Sequence, residues 1–227
     1  AREGRRAGQA FLEMKQRVER AIDQRTTMLN GVSHDLRTIL TRFKLSLAML
    51  EDTPDVEALR KDVDEMSRML EAYLAFARGD AGEQPAPTDM RALLEDLKAD
   101  LERQGHATRL NVADDLVVTV RPDAFRRLLV NLVANAARHG DTIAINAVRD
   151  LRWLIVTVDD DGPGVPEEMR EEVFKPFVRL DEARNVDDGG TGLGLAIARD
   201  IARSHGGDVT LMDSPLGGLR AMVRVPV

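Results

Sequence analysis

The sequence predicts an α-helical hairpin that dimerises into a four-helix bundle, followed by a mixed α/β sandwich. Three observations carry this. Two long apolar seams of helical period lie either side of a short turn at 51–55, a Gly/Pro-rich break follows at 79–87, and beyond it helical and strand patterns alternate.

In the first seam Met14, Val18, Leu29, Val32, Leu36, Phe43, Leu47 and Leu50 recur at threes, fours and sevens, so a helix runs from about Phe11 to Leu50 with one buried stripe. Glu51-Asp52-Thr53-Pro54-Asp55 supplies turn chemistry and a fresh helix start. Val56, Leu59, Val63, Met66, Leu70, Tyr73 or Leu74, and Ala77 form the second seam. Helices joined by so short a loop run antiparallel. Their stripes exceed what one hairpin can hide, which predicts a homodimer. Gly79-Asp80-Ala81-Gly82-Glu83-Gln84-Pro85-Ala86-Pro87 then reads as a hinge.

After the hinge, Asp89 to Gln104 reads as a helix with Thr88 as N-cap. Short strands follow at Thr108–Val112 and Leu116–Val120, and a helix at Phe125–Gly140. Strands at Thr142–Val148, Trp153–Val158, Asp208–Met212 and Ala221–Val225 complete a mixed sheet. An amphipathic helix at Ala196–Ser204 joins the others on one face of that sheet.

Four stretches carry chemistry. In Ser33-His34-Asp35-Leu36-Arg37-Thr38 a histidine, a carboxylate and a hydroxyl stand together. At about 100° per residue, His34 points roughly 180° from the mean of Val32 and Leu36, with Thr38 about 40° from it one turn later. The histidine is therefore presented to solvent. On the helix at Phe125–Gly140, the stripe of Phe125, Leu129, Leu132, Val133 and Ala136 leaves Asn131, Asn135 and Arg138 together on the polar side. Carboxamide oxygen ligates Mg²⁺ and arginine contacts phosphate, so this face suits a metal-bound polyphosphate.

The apolar run Trp153–Val158 ends in Asp159-Asp160-Asp161-Gly162-Pro163-Gly164, where glycines permit close backbone approach and a carboxylate can accept from an exocyclic amine. Last comes Gly189-Gly190-Thr191-Gly192-Leu193-Gly194-Leu195, which opens a helix and so offers free N–H groups to phosphates. It is not a Walker A loop, because no Gly-Lys-Ser/Thr follows.

A net charge of -7 without a basic run excludes a nucleic-acid-binding surface. The absence of cysteine removes disulfides and thiolate metal sites. No apolar run approaches the roughly 20 residues of a membrane span, and no signal peptide is visible. The chain begins at Ala1 rather than Met and reads as a fragment.

Taken in order, these elements resemble the sensor histidine kinases, over nearly the whole chain. Val32 to Thr38 looks like the H box; Asn131 to Asn135 with Arg138, the N box; and Asp160 to Gly164, the first glycine box. Phe174-Lys175-Pro176-Phe177 looks like the F box and Gly190 to Leu195 the second glycine box. The H box wording, Asn-Ala-Ala-Arg and Asp-Asp-Gly-Pro-Gly look most like EnvZ-type osmosensor kinases. Glu3-Gly4 and Ala10 to Met14 resemble the end of a HAMP module. The second half looks like the Bergerat ATPases, the broader family of gyrase, MutL and a class of heat-shock chaperones.

The resemblance implies four regions: a HAMP-like end at 1–20, a dimerisation and phosphotransfer domain at 21–80, a linker at 81–88 and an ATP-binding catalytic domain at 89–227. It implies ATP-dependent phosphorylation of His34, transfer to an aspartate of a response regulator, and dephosphorylation of that regulator. The protein would be the cytoplasmic portion of a bacterial inner-membrane receptor, anchored through segments outside this chain. Asp35 would hold the proton of the second ring nitrogen, and Thr38 would orient a hydrolytic water. Asn135 would ligate Mg²⁺ beside Asn131 and Arg138, and Asp160 would read the adenine amine. Gly162 and Gly164 would let the base sit close. Gly190, Thr191, Gly192, Leu193 and Gly194 would cover the phosphates, with Phe174 and Phe177 anchoring that lid. His106 and His205 read as surface or loop residues, and His139 as an unassigned neighbour of phosphate.

One departure stands out: Ile39 occupies the position where the family has proline after the H-box threonine. Without that proline the first helix is expected to run straighter or bend differently, which bears on the balance of kinase and phosphatase activities. Two other classes compete. A Bergerat ATPase without phosphotransfer would turn over ATP with no phosphoprotein intermediate and would have no use for an exposed His-Asp-x-x-Thr. A non-catalytic dimeric scaffold would have lost phosphotransfer while keeping the nucleotide motifs.

Overall fold

The computed structural model describes Met14 and residues 32–78, 83–113, 115–180 and 191–227. The chain divides at Gly79 into two compact units. Apart from Met14, the HAMP-like segment and the first helix as far as residue 31 lie outside the described residues, as do the hinge residues 79–82, Gly189 and Gly190.

In the first unit, helix α1 (residues 32–48) and helix α2 (Pro54–Arg78) form the hairpin. Thr53 starts α2: its hydroxyl accepts from Val56 N (3.3 Å) and its carbonyl from Glu57 N (3.0 Å), with Pro54 placed where no N–H is missed. Arg37 grips Glu71 with two prongs, one of 2.8 Å, and Lys44 meets Asp64 at 2.8 Å. Positions rising along α1 thus meet positions falling along α2, as antiparallel helices require.

The seam differs from its sequence reading. The hairpin core is Leu40, Leu47 and Val63, flanked by Val56 and Leu70, and Ser33 is buried one heptad before Leu40. Val32, Leu36, Ile39 and Phe43 are instead 40–53% exposed, as are Leu59 and Met66 of α2 at 50% and 55%. Helical period alone cannot separate two adjacent stripes about 70° apart, and the sequence reading merged them. The helix continues through Ile39 without a break.

The second unit begins with β1 (Ala86–Asp89), which pairs antiparallel with β3 (Val117–Val120) in a two-stranded sheet of their own. Ala86 and Pro87, the end of the stretch read as hinge, are therefore strand, together with Thr88 and Asp89. Asp89, not Thr88, caps helix α3 (Met90–Arg103): its carboxylate accepts from Ala92 N (3.1 Å), while the Thr88 hydroxyl donates to Ala86 O.

Strands β2 (Ala107–Val112), β4 (Thr142–Asp150), β5 (Trp153–Asp160), β6 (Asp208–Asp213) and β7 (Leu219–Pro226) form the main sheet in the order β2-β4-β5-β7-β6. Only the β2–β4 pair is parallel. Ile143, Ile145, Leu154, Val156, Val209, Val223 and Val225 are wholly buried on one face, under α3, α4 (Pro122–His139) and α5 (Gly194–Ser204). The alternate residues Ala144, Asn146, Ile155, Thr157 and Met222 are only partly covered. The mixed sheet with helices on one face is as the sequence predicts.

Helix α4 starts at Pro122, three residues before the sequence reading placed it. Its first free N–H groups are met from the stretch read as hinge: the Glu83 carboxylate accepts from Asp123 N (2.6 Å) and Ala124 N (3.0 Å). A carboxylate there satisfies two orphan donors and complements the positive end of the helix. Glu83→Ala is expected to destabilise this unit by about 1 kcal/mol, lowering its Tm by roughly 2–4 °C. The single tryptophan, Trp153 on β5, reports that transition without interference from the first unit.

Candidate functional site

His34 stands two residues into the described part of α1, on the side away from both apolar stripes. Its ring is 80% exposed, and Nδ1 lies 3.6 Å from Asp35 Oδ1, close enough for attraction but longer than a hydrogen bond. The Thr38 hydroxyl donates to the His34 carbonyl (2.9 Å), bonding back onto its own helix. Arg37, between them, is turned away to Glu71, whose hydrogen bonds hold the guanidinium still more firmly in its charged form. The histidine is accessible on an ion-paired hairpin.

The other predicted residues belong to the second unit. Phe125, Leu128, Leu129, Leu132, Val133 and Ala136 bury one side of α4, which leaves Asn131, Asn135 and Arg138 on the other. Asn131 donates Nδ2 to Arg127 O (2.8 Å), and its Oδ1 lies 3.3 Å from where a Cβ on Gly194 would stand. The polar face of α4 and the start of α5 are thus in contact. Asn135 is half-buried, and its carboxamide makes no hydrogen bond to another described residue. An uncommitted oxygen of that kind fits a hard cation such as Mg²⁺. Arg138 lines a depression of about 190 Å³ with Ala137, His139, Gly140, Asp141 and Asp161.

The three consecutive aspartates at the end of β5 are held in three different ways. Asp159 is 1% exposed and takes both prongs of Arg220 (2.6 and 2.9 Å). Asp160 is 2% exposed; its Oδ1 accepts from Gly162 N (2.9 Å) and Leu219 N (3.0 Å), and its carbonyl accepts from Gly218 N (3.2 Å). Among the described residues nothing bonds to its Oδ2, so one carboxylate oxygen is available to a ligand. Asp161 Oδ1 accepts from Asp141 N (2.8 Å) and Thr142 N (2.9 Å), closing the turn between α4 and β4.

The Thr142 N–H is the main reason the Asp161 carboxyl sits below the ordinary carboxylate range. A depressed folded-state value means that stability from Asp161 is present above the unfolded value of about 3.9 and is lost as pH falls through the folded one. Asn at 161 keeps an acceptor oxygen but does not titrate. In acid titrations followed by Trp153 fluorescence, Asp161→Asn is expected to lose less stability than the parent from about pH 5 downward.

Close packing surrounds Asp160. A Cβ on Gly162 would lie 2.5 Å from His139 O, and one on Gly218 would lie 2.3 Å from Asp160 Oδ1. Gly164 adopts φ +73°, and its Cβ would face Gly218 at 3.5 Å. Gly218 and Leu219 escaped the sequence reading. The Gly217-Gly218 pair before β7 was the available signal, but it reads equally as an ordinary hairpin turn.

Of the second glycine box, Gly190 lies outside the described residues. Thr191 is half-buried, Gly192 has φ +67°, Leu193 is fully buried, and Gly194 opens α5. Phe177 N donates to Gly192 O (3.0 Å), so the box is tied to the backbone of the second F-box phenylalanine, while that residue as a whole is 52% exposed. Phe174 is buried beneath the Arg199 guanidinium (4.2 Å), which Glu171 and Asp208 also hold.

His205 stands in the turn after α5, as a loop residue, but is not left at the surface. It is half-buried, its Nε2 accepts from Arg121 N (3.2 Å), its Nδ1 meets Ile201 O (2.8 Å), and its ring sits edge-on to Phe125. It clamps the end of α5 to the start of α4. His106 is half-buried beside β2, and His139 is exposed at the end of α4.

Comparison with known proteins matches a domain type in each unit. Residues 24–82 match the His Kinase A (phospho-acceptor) domain. Residues 120–227 match the histidine kinase-, DNA gyrase B- and HSP90-like ATPase domain. The sensor histidine kinase CpxA of Escherichia coli K12 is 34% identical over 97% of this chain and 51% of its own length. The sensor histidine kinase GtrS of Pseudomonas aeruginosa is 34% identical over 96% of this chain and 45% of its own length. The chain spans about half the length of the curated relatives it matches.

Among solved structures, full-length ShkA in complex with AMPPNP superimposes with a TM-score of 0.69 at 26% identity, covering 88% of this chain and 45% of that one. The ATP-binding domain of PrrB from Mycobacterium tuberculosis gives 0.51 at 30% identity, covering 63% of this chain and 97% of that one. With a presented histidine on the hairpin, an acidic glycine turn beneath a polar helix face, and both domain types matched in order, the chain belongs to the sensor histidine kinase family.

Proposed function

We propose that this chain is an ATP-dependent protein-histidine kinase that phosphorylates His34, passes the phosphoryl group to an aspartate of a response regulator, and also dephosphorylates that regulator. The observation that carries the reading is the union, in one chain, of an 80% exposed His34 with a module whose buried Asp160 keeps one carboxylate oxygen for a ligand.

In this reading, one nitrogen of the neutral His34 ring attacks the γ-phosphorus of ATP. A P–N bond forms as the P–O bond to the departing ADP breaks. Asp35 holds the proton on the other ring nitrogen, closing the 3.6 Å gap as positive charge grows on the ring. The phosphoryl group then moves from nitrogen to a carboxylate oxygen of the regulator. In dephosphorylation Thr38, its hydroxyl released from the His34 carbonyl, orients a water that attacks the phosphorus of that acyl phosphate; the P–O bond to the regulator's carboxylate breaks and inorganic phosphate leaves.

Asp160 accepts from the adenine amine, an interaction that guanine, with a carbonyl at that position, does not offer. Gly162 and Gly164 give the base room, and the second glycine box with the start of α5 serves the phosphates. Asn135 holds Mg²⁺, with Asn131 and Arg138 beside the phosphates; the ion supplies neutralisation of the triphosphate charge.

Residues 21–80 serve as the dimerisation and phosphotransfer domain and 81–88 link it to the catalytic domain at 89–227, with 83–88 already bonded to that domain through Glu83 and β1. The exposed stripe of Val32, Leu36, Ile39 and Phe43, beside Leu59 and Met66, supports a homodimer, because an apolar face of that extent is normally covered. The chain works on the cytoplasmic side of a bacterial inner membrane, anchored through segments outside it. Among the described residues no helix is long and apolar enough to cross a membrane.

Incubation with γ-labelled ATP and Mg²⁺, followed by acid and base treatment, tests the central claim. Base-stable, acid-labile label on the protein is expected. ATP consumption without labelled protein would instead favour an ATPase that performs no phosphotransfer.

A further inference from the structure

We propose that Arg220 is a positioning residue for adenine recognition, acting by neutralising Asp159 and holding the start of β7 against Asp160. The inference rests on the reading of Asp160 as the adenine acceptor and deepens it.

Alternation along β5 places Asp159 with Thr157 and Ile155 on one face of the sheet and Asp160 with Val158 and Val156 on the other, under the helices. Arg220 is the direct register partner of Asp159 on β7 and grips both of its carboxylate oxygens. It therefore lies on the sheet face opposite the base and cannot touch it. The two residues before it in sequence do the contacting: Leu219 N donates to Asp160 Oδ1, and Gly218 N to Asp160 O. The ion pair on one face fixes the strand register that makes those two bonds on the other.

Charge gives a second reason. Asp159, Asp160 and Asp161 are consecutive, and the first two are almost wholly buried. Asp161 is compensated by the N–H groups of Asp141 and Thr142, Asp160 by those of Gly162 and Leu219, and Asp159 by the Arg220 guanidinium. Other charged groups on the flanking strands are Asp213 on β6 at this end, itself paired with Arg170, and Arg224 four residues along β7 toward the far end, stacked on Trp153. On β4 the register partner Ala144 and its same-face neighbours Thr142 and Asn146 carry no charge. Removing Arg220 leaves Asp159 as a buried acid beside Asp160. Burial of an unpaired carboxylate raises its pKa, so the acid is relieved by taking up a proton as pH falls.

Calorimetric titration of the full 227-residue chain with ADP and Mg²⁺ between pH 6 and 8.5 tests this, with folding monitored by Trp153 emission. Arg220→Met is expected to bind about tenfold more weakly at pH 8 and to recover toward the parent at pH 6, whereas the parent shows no such recovery. The double variant Asp159→Asn with Arg220→Met removes the charge conflict, the larger of the two contributions, and should return to within about threefold of the parent without pH dependence, the remainder being the register hold that the ion pair supplied. Asp159→Asn alone, which keeps Arg220 and a hydrogen-bonding partner for it, gives a pH-independent and smaller loss and remains informative where Arg220→Met folds poorly. Parent-like affinity of Arg220→Met at every pH overturns the proposal, as does a pH-independent loss that the double variant fails to rescue. Asp160→Asn separates the two levels. Undiminished ADP binding in that variant removes the adenine reading itself, whereas lost binding there with a parent-like Arg220→Met removes only the role of Arg220.

Discussion

Replacing His34 with glutamine is expected to abolish autophosphorylation, reducing label incorporation from γ-labelled ATP by at least about three orders of magnitude. Glutamine approximates the reach and polarity of histidine but has no ring nitrogen with a basic lone pair, so no P–N bond can form. The exchange is conformationally mild: residue 34 is 80% exposed, and glutamine is a good helix former. ATP affinity is expected to change by less than about twofold, since the nucleotide residues belong to the other compact unit. Affinity is measured by nucleotide titration of the same preparation that is assayed for label. Persistent acid-labile label in His34→Gln would place the nucleophile elsewhere. Lost affinity together with lost label would mean that the substitution had disturbed the nucleotide module.

Much of this site is legible in the sequence because it depends on local spacing. Asn131, Asn135 and Arg138 share a face by helical geometry alone, and the burial of Phe125, Leu129, Leu132, Val133 and Ala136 follows from the same period. The presentation of His34 is equally local. What the sequence hides is decided by partners distant along the chain. Nothing in Asp159-Asp160-Asp161 says which carboxylate meets Arg220, which meets the Leu219 N–H and which closes the turn at Thr142; that sorting follows from β5 lying between β4 and β7. Glu83 reads as part of a flexible tract, yet it caps a helix forty residues later. His205 does stand in a turn, but its clamping contact is hidden because its hydrogen-bond donor, Arg121 N, is 84 residues away. In the hairpin, the apolar period gives a helix but not the division of its apolar residues between α2 and the face left open, which depends on how the two helices rotate against each other.

Gly218→Ala is expected to cost the nucleotide module both stability and affinity. The added methyl would lie 2.3 Å from Asp160 Oδ1, 2.4 Å from Gly162 N and 2.7 Å from Asp160 O, about 1 Å inside ordinary van der Waals contact with each. None of these atoms ends a flexible side chain that could swing aside. Two belong to the backbone, and the third is a buried carboxylate oxygen fixed by two N–H donors. Relief requires β7 to draw back from β5, which breaks the bonds from Gly218 N and Leu219 N to Asp160, at about 1 kcal/mol each, and disorients the carboxylate that reads the base. Nucleotide affinity is therefore expected to fall at least about tenfold, alongside a stability loss of about 1–3 kcal/mol. Gly207→Ala separates the two effects. Its methyl would meet Arg224 O at 2.0 Å, a clash as severe, but Gly207 follows the C-terminal end of α5, whereas the nucleotide residues adjoin its start at Gly194. At a temperature where both variants are folded by Trp153 emission, only Gly218→Ala should bind ADP poorly. Equal losses would make the effect one of global stability, and parent-like binding by Gly218→Ala would show that the Asp160 carboxylate does not need this geometry to hold adenine.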